Sequence, residues 1–390
     1  MRLLHTSDWH LGITLEGMPM LKFQRQAIDH ILDVVRGEGV DAVLISGDIY
    51  DRSLPSVDAV RVFEDALVRI GALCPVVVTS GNHDSAVRLG FGSRLYADQL
   101  HLRTAVDRLA EPVVLEDEYG PVHIYGIPYL DPDLTRHALG GEPLERSHEA
   151  VIGAAMDRIR ADLARCSEGS VRSVVMAHAF ITGASASAER SDSERDIRVG
   201  NVDAAPASVF AGVDYTALGH LHGPQQPRSP GPGVVRYSGS PLRYSFSEAT
   251  HTKSVTLVDL GPDGVKSVST VDIPQPRPMA ELSGTFAELI GEDRFAPFEE
   301  SWLKLTVTDP VRPERMHAAL RERYPHLVVS FHTPAATSAA TRFVDTSSSI
   351  DPMEVVAAFL QEAQGEAASN EQLDAARREF EAVLGAGRSA

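Results

Sequence analysis

Five short polar clusters, each standing where an apolar or β-branched run ends, constrain this chain more than any other feature. They are Asp8-Trp9-His10, Gly47-Asp48-Ile49-Tyr50-Asp51, Gly81-Asn82-His83-Asp84, Met176-Ala177-His178 and Gly219-His220-Leu221-His222-Gly223. The runs that lead into them are Arg2 to Ser7, Val40 to Ser46, Pro75 to Thr79, Val171 to Ala177 and Val213 to Leu218. Val40 to Ser46, β-branched and apolar, reads as a strand buried on both faces, and Arg2 to Ser7 reads as a short buried strand. Between the first three clusters, Phe23, Ala27, Ile31, Val34 and Val35 recur at helical spacing within Leu21 to Glu38, and Val57, Val60, Phe63, Leu67 and Ile70 mark a second helix. The order strand, polar cluster, helix predicts an α/β sheet whose ligands gather beyond the carboxyl ends of its strands.

Further along, Val122 to Ile127 reads as a strand and Ser147 to Ala164 as a helix, while Gly183 to Gly200, rich in Ser, Ala and charge, reads as a surface loop near the site. After the double histidine the pattern changes: Gly233 to Ser238 and Lys253 to Leu260 read as strands joined by short turns, antiparallel in character. One layered α/β domain is expected over residues 1–275. Pro274, Pro276 and Pro278 remove backbone donors and predict a semi-rigid linker. Residues 276–345 then read as a linker and a small α+β domain, with strands at Trp302 to Val307 and Leu327 to Phe331 and a helix over Arg312 to Tyr324.

Residues 346–390 carry two helix signatures. Asp351-Pro352-Met353-Glu354 supplies a cap, a proline at the first helical position and a glutamate three after the cap, ahead of Val355, Val356, Phe359 and Leu360. Asn370 is placed to cap the second, whose stripe is Leu373, Ala376, Phe380, Val383 and Leu384. From Asp345 to Ala390 nine acids face three arginines, a net of -6, which argues against this tail touching DNA. Pattern alone leaves two readings of it open: a helical pair folded on its own domain, or a partner-binding tail.

Carboxylate, imidazole and amide oxygen together suit Mn, Fe or Zn. Singly each cluster is an ordinary loop; five in succession point to one two-metal centre, which needs a bridging ligand and metals about 3.5 to 4 Å apart to clamp a hydroxide and a phosphate. Asp48 is the expected bridge, because a carboxylate can serve both ions with its two oxygens. Asp8, His10 and His222 complete one metal, and Asn82, His178 and His220 the other. His83, next to a ligand on a tight turn, is expected to face the phosphate as a catalytic group. Asp51 is expected to accept from its other ring nitrogen, with Asp84 as the competing partner. Arg88, Arg94 and Arg243 stand near the motifs as candidate phosphate contacts, with solvation at the surface the leading alternative for any one of them. His5, His30, His101, His123 and His251 lack this context and read as surface or core residues.

Composition narrows the setting. With 390 residues, 43% hydrophobic and 23% charged, the chain is long enough for two or three domains of ordinary globular type. The first residues run straight into a motif with no leader, no apolar run approaches the roughly 20 residues of a membrane span, and the expectation is a cytoplasmic protein. Cys74 and Cys166 lack zinc-site spacing and read as buried free thiols. The formal charge of -18 disfavours strong unaided DNA binding, which draws on clustered Lys and Arg, and leaves room for a partner to do the gripping.

The five motifs, in this order, resemble those of the calcineurin-like metallophosphoesterases. Asp48-Ile49-Tyr50-Asp51, Asn82-His83-Asp84-Ser85, the run from Asp214 to Gln225, and Tyr237-Ser238-Gly239-Ser240-Pro241-Leu242-Arg243-Tyr244-Ser245-Phe246-Ser247-Glu248 are similar to the SbcD branch of that family along the whole chain. The resemblance implies an α/β/β/α-type sandwich, a small α+β cap and a C-terminal helix pair. It implies a nuclease that trims duplex ends and cuts single strands or hairpins in DNA repair, with two divalent ions, Mn²⁺ foremost and Mg²⁺, Fe²⁺ or Zn²⁺ acceptable to the same ligands. It implies a homodimer through Val57 to Ile70 and the region from Ser85 to Ala97, DNA as substrate, and an SbcC-type SMC-like ATPase docked on the tail. The rival readings are a stand-alone phosphoesterase for small diesters and a non-catalytic scaffold for the ATPase.

Overall fold

The computed structural model describes residues 1–96, 99–139, 142–166, 171–183, 204–334, 353, 356–357, 359–360 and 368–386. It divides into two units, Met1–Pro334 and Ala335–Ala390. In the first unit, alternation along each strand decides the layering. Leu3, Ala42, Leu44 and Val77 of one sheet meet Val122, Ile124, Val174, Met176, Tyr215 and Ala217 of another in a shared core. The residues between them, Leu4, Val43, Ile45, Val76 and Val78, turn outward onto the helices Leu21–Gly37 and Val57–Gly71. On the far side, Tyr125, Ile127, Val175 and Ala177 pack under the helix His148–Arg165. Two sheets face to face with helices outside each make the expected α/β/β/α sandwich.

The first sheet has six strands with Arg2–Thr6, Ala42–Ser46 and Val76–Thr79 parallel and adjacent. Its other flank is the hairpin Ser254–Gly261 and Gly264–Asp272, antiparallel to Arg2–Thr6. In the second sheet Arg172–His178 lies between Gly120–Ile127 and Tyr215–Gly219, all parallel. Parallel pairing puts the carboxyl ends of these strands at one edge of each sheet, and both edges open on the same side of the sandwich. Val234–Tyr237 runs parallel to Tyr215–Gly219, contrary to the antiparallel expectation, because the chain crosses over through the double-histidine loop instead of turning back at once.

The strands Met279–Gly284, Trp302–Val307 and Leu327–His332 form a separate parallel sheet. Under the helices Phe286–Gly291 and Met316–Arg323 it closes its own core around Leu289, Leu303, Leu305 and Leu320. Trp302 meets Phe23 edge to face at 5.0 Å, tying this sheet to the first helix. In the second unit the helix Asn370–Ala386 is capped one residue earlier than expected: Ser369 Oγ accepts from the Gln372 amide, and Gln372 Oε1 accepts from the Ser369 amide. Phe359 and Phe380 of this unit are exposed. The Asp351-Pro352 cap and the Ser-rich loop from residue 184 onward lie outside the described residues.

Candidate metal centre

Strand ends deliver the candidate ligands, and strained backbone aims them. Asp8, His10, Asp48 and His220 all adopt positive φ (54°, 43°, 49° and 108°), a region L-residues enter at a cost and keep only where the surroundings enforce it. Glycine makes the close approaches. A Cβ on Gly81 would lie 2.2 Å from Asp48 Oδ1, and one on Gly219 would lie 1.9 Å from the Ser46 carbonyl oxygen. Asp8, His10, Asp48, His178, His220 and His222 are buried, and Asn82 is half-buried.

Asp48 sits at the middle. Its Oδ2 is 3.5 Å from His10 Nε2 and 3.3 Å from His178 Nε2, so one carboxylate oxygen faces imidazoles from both sheets. On one side, His10 Nε2 lies 3.2 Å from His222 Nε2, and ligand atoms of Asp8, His10 and His222 fall within 4.8 Å of one another. On the other side, His178 Nε2 is 3.0 Å from Asn82 Oδ1 while its Nδ1 is 3.0 Å from the Ser46 carbonyl, which orients the ring. The His220 ring stands 5.5 Å from that of His178, and its backbone amide donates to Asp8 Oδ1 at 2.9 Å. All seven expected ligands therefore meet in one place.

Electrostatics fit a cationic occupant. Burial works to raise the Asp48 carboxyl, but His178 and His10 hold it well below the usual carboxylate range. Burial pushes His10 well down, leaving the neutral imidazole a metal needs. Burial works in the same direction on His178, yet Asp48 and Asp8 overcome it and bring this ring up to about 9. An imidazolium there supplies positive charge among buried carboxylates, the place a divalent cation would take. Nitrogen and oxygen donors converging from two sides of one carboxylate suit a borderline or hard divalent ion.

His83 is buried, and its ring lies edge-on to His10 at 4.7 Å. Its Nδ1 is 2.7 Å from Asp51, but the acceptor is the Asp51 backbone carbonyl. The Asp51 carboxylate turns away to Arg52 at 3.2 Å, which corrects the expectation that this side chain fixes the ring. Asp84 is occupied elsewhere, accepting from the amides of Ile49, Tyr50 and Gly81 and so joining the second and third loops. Arg243 donates to the His251 carbonyl at 2.8 and 3.0 Å, and Arg88 to the Ser53 carbonyl at 3.0 Å.

Two residues escaped sequence reasoning. Glu248 Oε1 is 3.3 Å from His222 Nδ1, and its Oε2 accepts from Lys253 Nζ at 2.5 Å, with both side chains fully buried. Lys253 also donates to the His222 carbonyl and to Ser240 Oγ. A carboxylate behind a metal-ligating histidine fixes its tautomer and strengthens it as a ligand. Glu248 closes the Tyr237-to-Glu248 motif, but nothing local in that motif tells which histidine it would reach.

Residues 1–224, more than half of the chain, match the calcineurin-like phosphoesterase family. Residues 275–364 match the SbcD C-terminal domain, described as Type 5 capsule protein repressor C-terminal domain. Among solved structures, TT1561 of Thermus thermophilus is 16% identical, with 70% of this chain and 99% of that chain covered and a TM-score of 0.41. GAP50, the anchor in the inner membrane complex of Plasmodium, is 8% identical, with 72% of this chain and 91% of that chain covered and a TM-score of 0.40. Among the described residues no helix is long and apolar enough to cross a membrane. The chain belongs to the calcineurin-like phosphoesterase family, as a hydrolase of phosphate esters of the SbcD type.

Proposed function

We propose that this chain is the nuclease subunit of an SbcC-type ATPase complex, cutting DNA phosphodiesters at duplex ends and in single strands or hairpins with Mn²⁺. The observation that carries the reading is the placing of Asp48 Oδ2 between His10 Nε2 and His178 Nε2, each with further donors behind it. Asp8, His10, Asp48 and His222 would hold one ion, and Asp48, Asn82, His178 and His220 the other. The chemistry such ions supply when bound is Lewis-acid stabilisation of phosphate charge and activation of water at neutral pH.

The chain's own part is positional. The Asp51 carbonyl accepts a hydrogen bond from His83 Nδ1, so that Nε2 is the ring nitrogen left for the substrate. In its protonated form His83 can then donate from Nε2 to a phosphate oxygen and stabilise charge that grows during attack, or pass that proton to the leaving oxygen. Glu248 holds the His222 ring from behind. In this reading residues 1–275 do the chemistry, 276–345 shape the DNA path, and 346–390 dock on the ATPase, whose surface compensates for a chain charge of -18.

A second copy is the occupant we assign to the apolar groove of about 850 Å³ lined by Tyr50, Leu54, Phe63, Leu67, Phe91 and Tyr96. Leu54, Val57, Val68, Phe91 and Leu95 stand exposed, the first in the loop before the helix Val57–Gly71, the next two on that helix and the last two on the segment after the third motif. The test is Mn²⁺-dependent degradation of end-labelled duplex and hairpin DNA, with and without the ATPase and ATP, beside a small phosphodiester. The proposal expects DNA cleavage that the ATPase enhances. Hydrolysis of the small diester with no DNA cut under any condition would overturn it in favour of a small-substrate phosphoesterase.

A further inference from the structure

A second cluster of metal-ligand type lies on the other face of the second sheet. His123 and Tyr125 are two apart on the strand Gly120–Ile127 and so point to the same face. Asp162 lies in the helix His148–Arg165 and Cys166 is its C-cap, four apart and one above the other on the side packed over that strand. One ligand atom from each of His123, Asp162 and Cys166 falls within 4.8 Å of the others. Cys166 Sγ is 4.0 Å from His123 Nδ1. The Tyr125 hydroxyl, on a fully buried ring, donates to Asp162 Oδ2 at 2.8 Å and stands 3.4 Å from His123 Nδ1. Asp162 Oδ1 is taken by the exposed Arg165 at 2.8 Å, which leaves Oδ2 turned to the cluster.

This place is remote from the catalytic centre. His123 pairs with Ser173, five residues before His178 on the neighbouring strand, roughly 16 Å at about 3.3 Å per residue. Thiolate, imidazole and carboxylate form a softer donor set than that of the catalytic centre and favour zinc over magnesium or calcium. In a tetrahedral zinc site sulfur and nitrogen ligands stand about 3.6 Å apart. The present 4.0 Å separation needs closing by a few tenths of an ångström, within the reach of a side chain at a helix end. The Tyr125 hydroxyl then serves to orient the carboxylate.

We propose that His123, Asp162 and Cys166 form a zinc-type site with three protein ligands and a fourth position open to water, clasping the end of the helix His148–Arg165 to the sheet. The experiment is Co²⁺ titration of the full chain under reducing conditions, followed by absorption. A sulfur-to-cobalt charge-transfer band in the near ultraviolet reports a thiolate ligand, and the seven ligands of the catalytic centre include no cysteine. The band is expected with the amplitude of one cobalt–thiolate bond per chain, retained in Cys74→Ser and absent in Cys166→Ser. Asp162→Asn is expected to weaken the affinity read from the band at least about tenfold, and Cys166→Ser to leave Mn²⁺-dependent phosphodiester hydrolysis unchanged. Absence of the band at saturating Co²⁺, its survival in Cys166→Ser, or an unaltered affinity in Asp162→Asn would each overturn the proposal.

Discussion

Replacing Glu248 by glutamine separates two roles that one carboxylate plays. Glu248 and Lys253 are fully buried and 2.5 Å apart, and Glu248 Oε1 is 3.3 Å from His222 Nδ1. Burial works to raise the Glu248 carboxyl, but Lys253 and His222 hold it below the usual carboxylate range, so the carboxylate is charged. Glutamine keeps the shape and removes the charge. Breaking a buried ion pair from one side costs about 3–5 kcal/mol; with the Lys253 bonds to the His222 carbonyl and Ser240 retained, about 3 kcal/mol is expected. Loss of the carboxylate behind a ligating histidine weakens metal binding by about 10- to 100-fold. The double variant Glu248→Gln/Lys253→Met removes both charges and should recover most of the stability, yet its metal affinity should stay low, because the Glu248 charge behind His222 Nδ1 is gone. Guanidinium unfolding of the metal-free proteins reads the first effect, and Mn²⁺ titration followed by electron paramagnetic resonance reads the second. Wild-type Mn²⁺ affinity in Glu248→Gln, or affinity restored in the double variant, would refute the reasoning.

His83→Gln should keep both metals and lose about 10²- to 10⁴-fold in phosphodiester cleavage; full activity in the metallated variant would remove His83 from the chemistry. Asp51→Asn should cost no more than about 0.5 kcal/mol in transition-state stabilisation, since the carbonyl and not the carboxylate meets His83, and steady-state kinetics checks it. Asp117 makes a two-bond pair with buried Arg172 at 2.5 and 2.9 Å, which holds its carboxyl below the ordinary range. A depressed carboxyl contributes stability above its unfolded value of about 4 and loses it as pH falls. The stability gap between wild type and Asp117→Asn should therefore be about 3 kcal/mol near neutrality and shrink on acidification below about pH 4; a gap independent of pH in denaturant unfolding would contradict it. Val68→Asp and Phe91→Asp, on the exposed apolar side of the first sheet, should shift the chain to monomer in analytical ultracentrifugation.

The layered fold was legible because alternation within each run is a local property. Leu3 and Leu4 go to different cores for no reason beyond pleating. The convergence of the candidate ligands was legible because parallel strands deliver loops to one edge, so residues far apart in sequence but alike in position must meet. Direction of a late strand was not: Val234–Tyr237 follows a crossover that composition does not distinguish from a turn. The strand Met279–Gly284 was hidden by Pro278 immediately before it, where the missing donor falls outside the ladder. Spacing placed Asp51 beside His83 correctly but could not tell carboxylate from carbonyl. Glu248 and Lys253 were invisible because burial of a charged pair is a tertiary fact, and the His123, Asp162 and Cys166 cluster because its members come from a strand and a helix that pack only in three dimensions.

In the proposed function Asp48 would serve two ions. Anomalous diffraction from crystals of the full chain soaked in Mn²⁺ addresses it without any assay of activity. The account predicts two peaks about 3.5 to 4 Å apart on either side of Asp48, one against Asp8, His10 and His222 and the other against Asn82, His178 and His220. A single ion, or a pair that Asp48 does not touch, would contradict it.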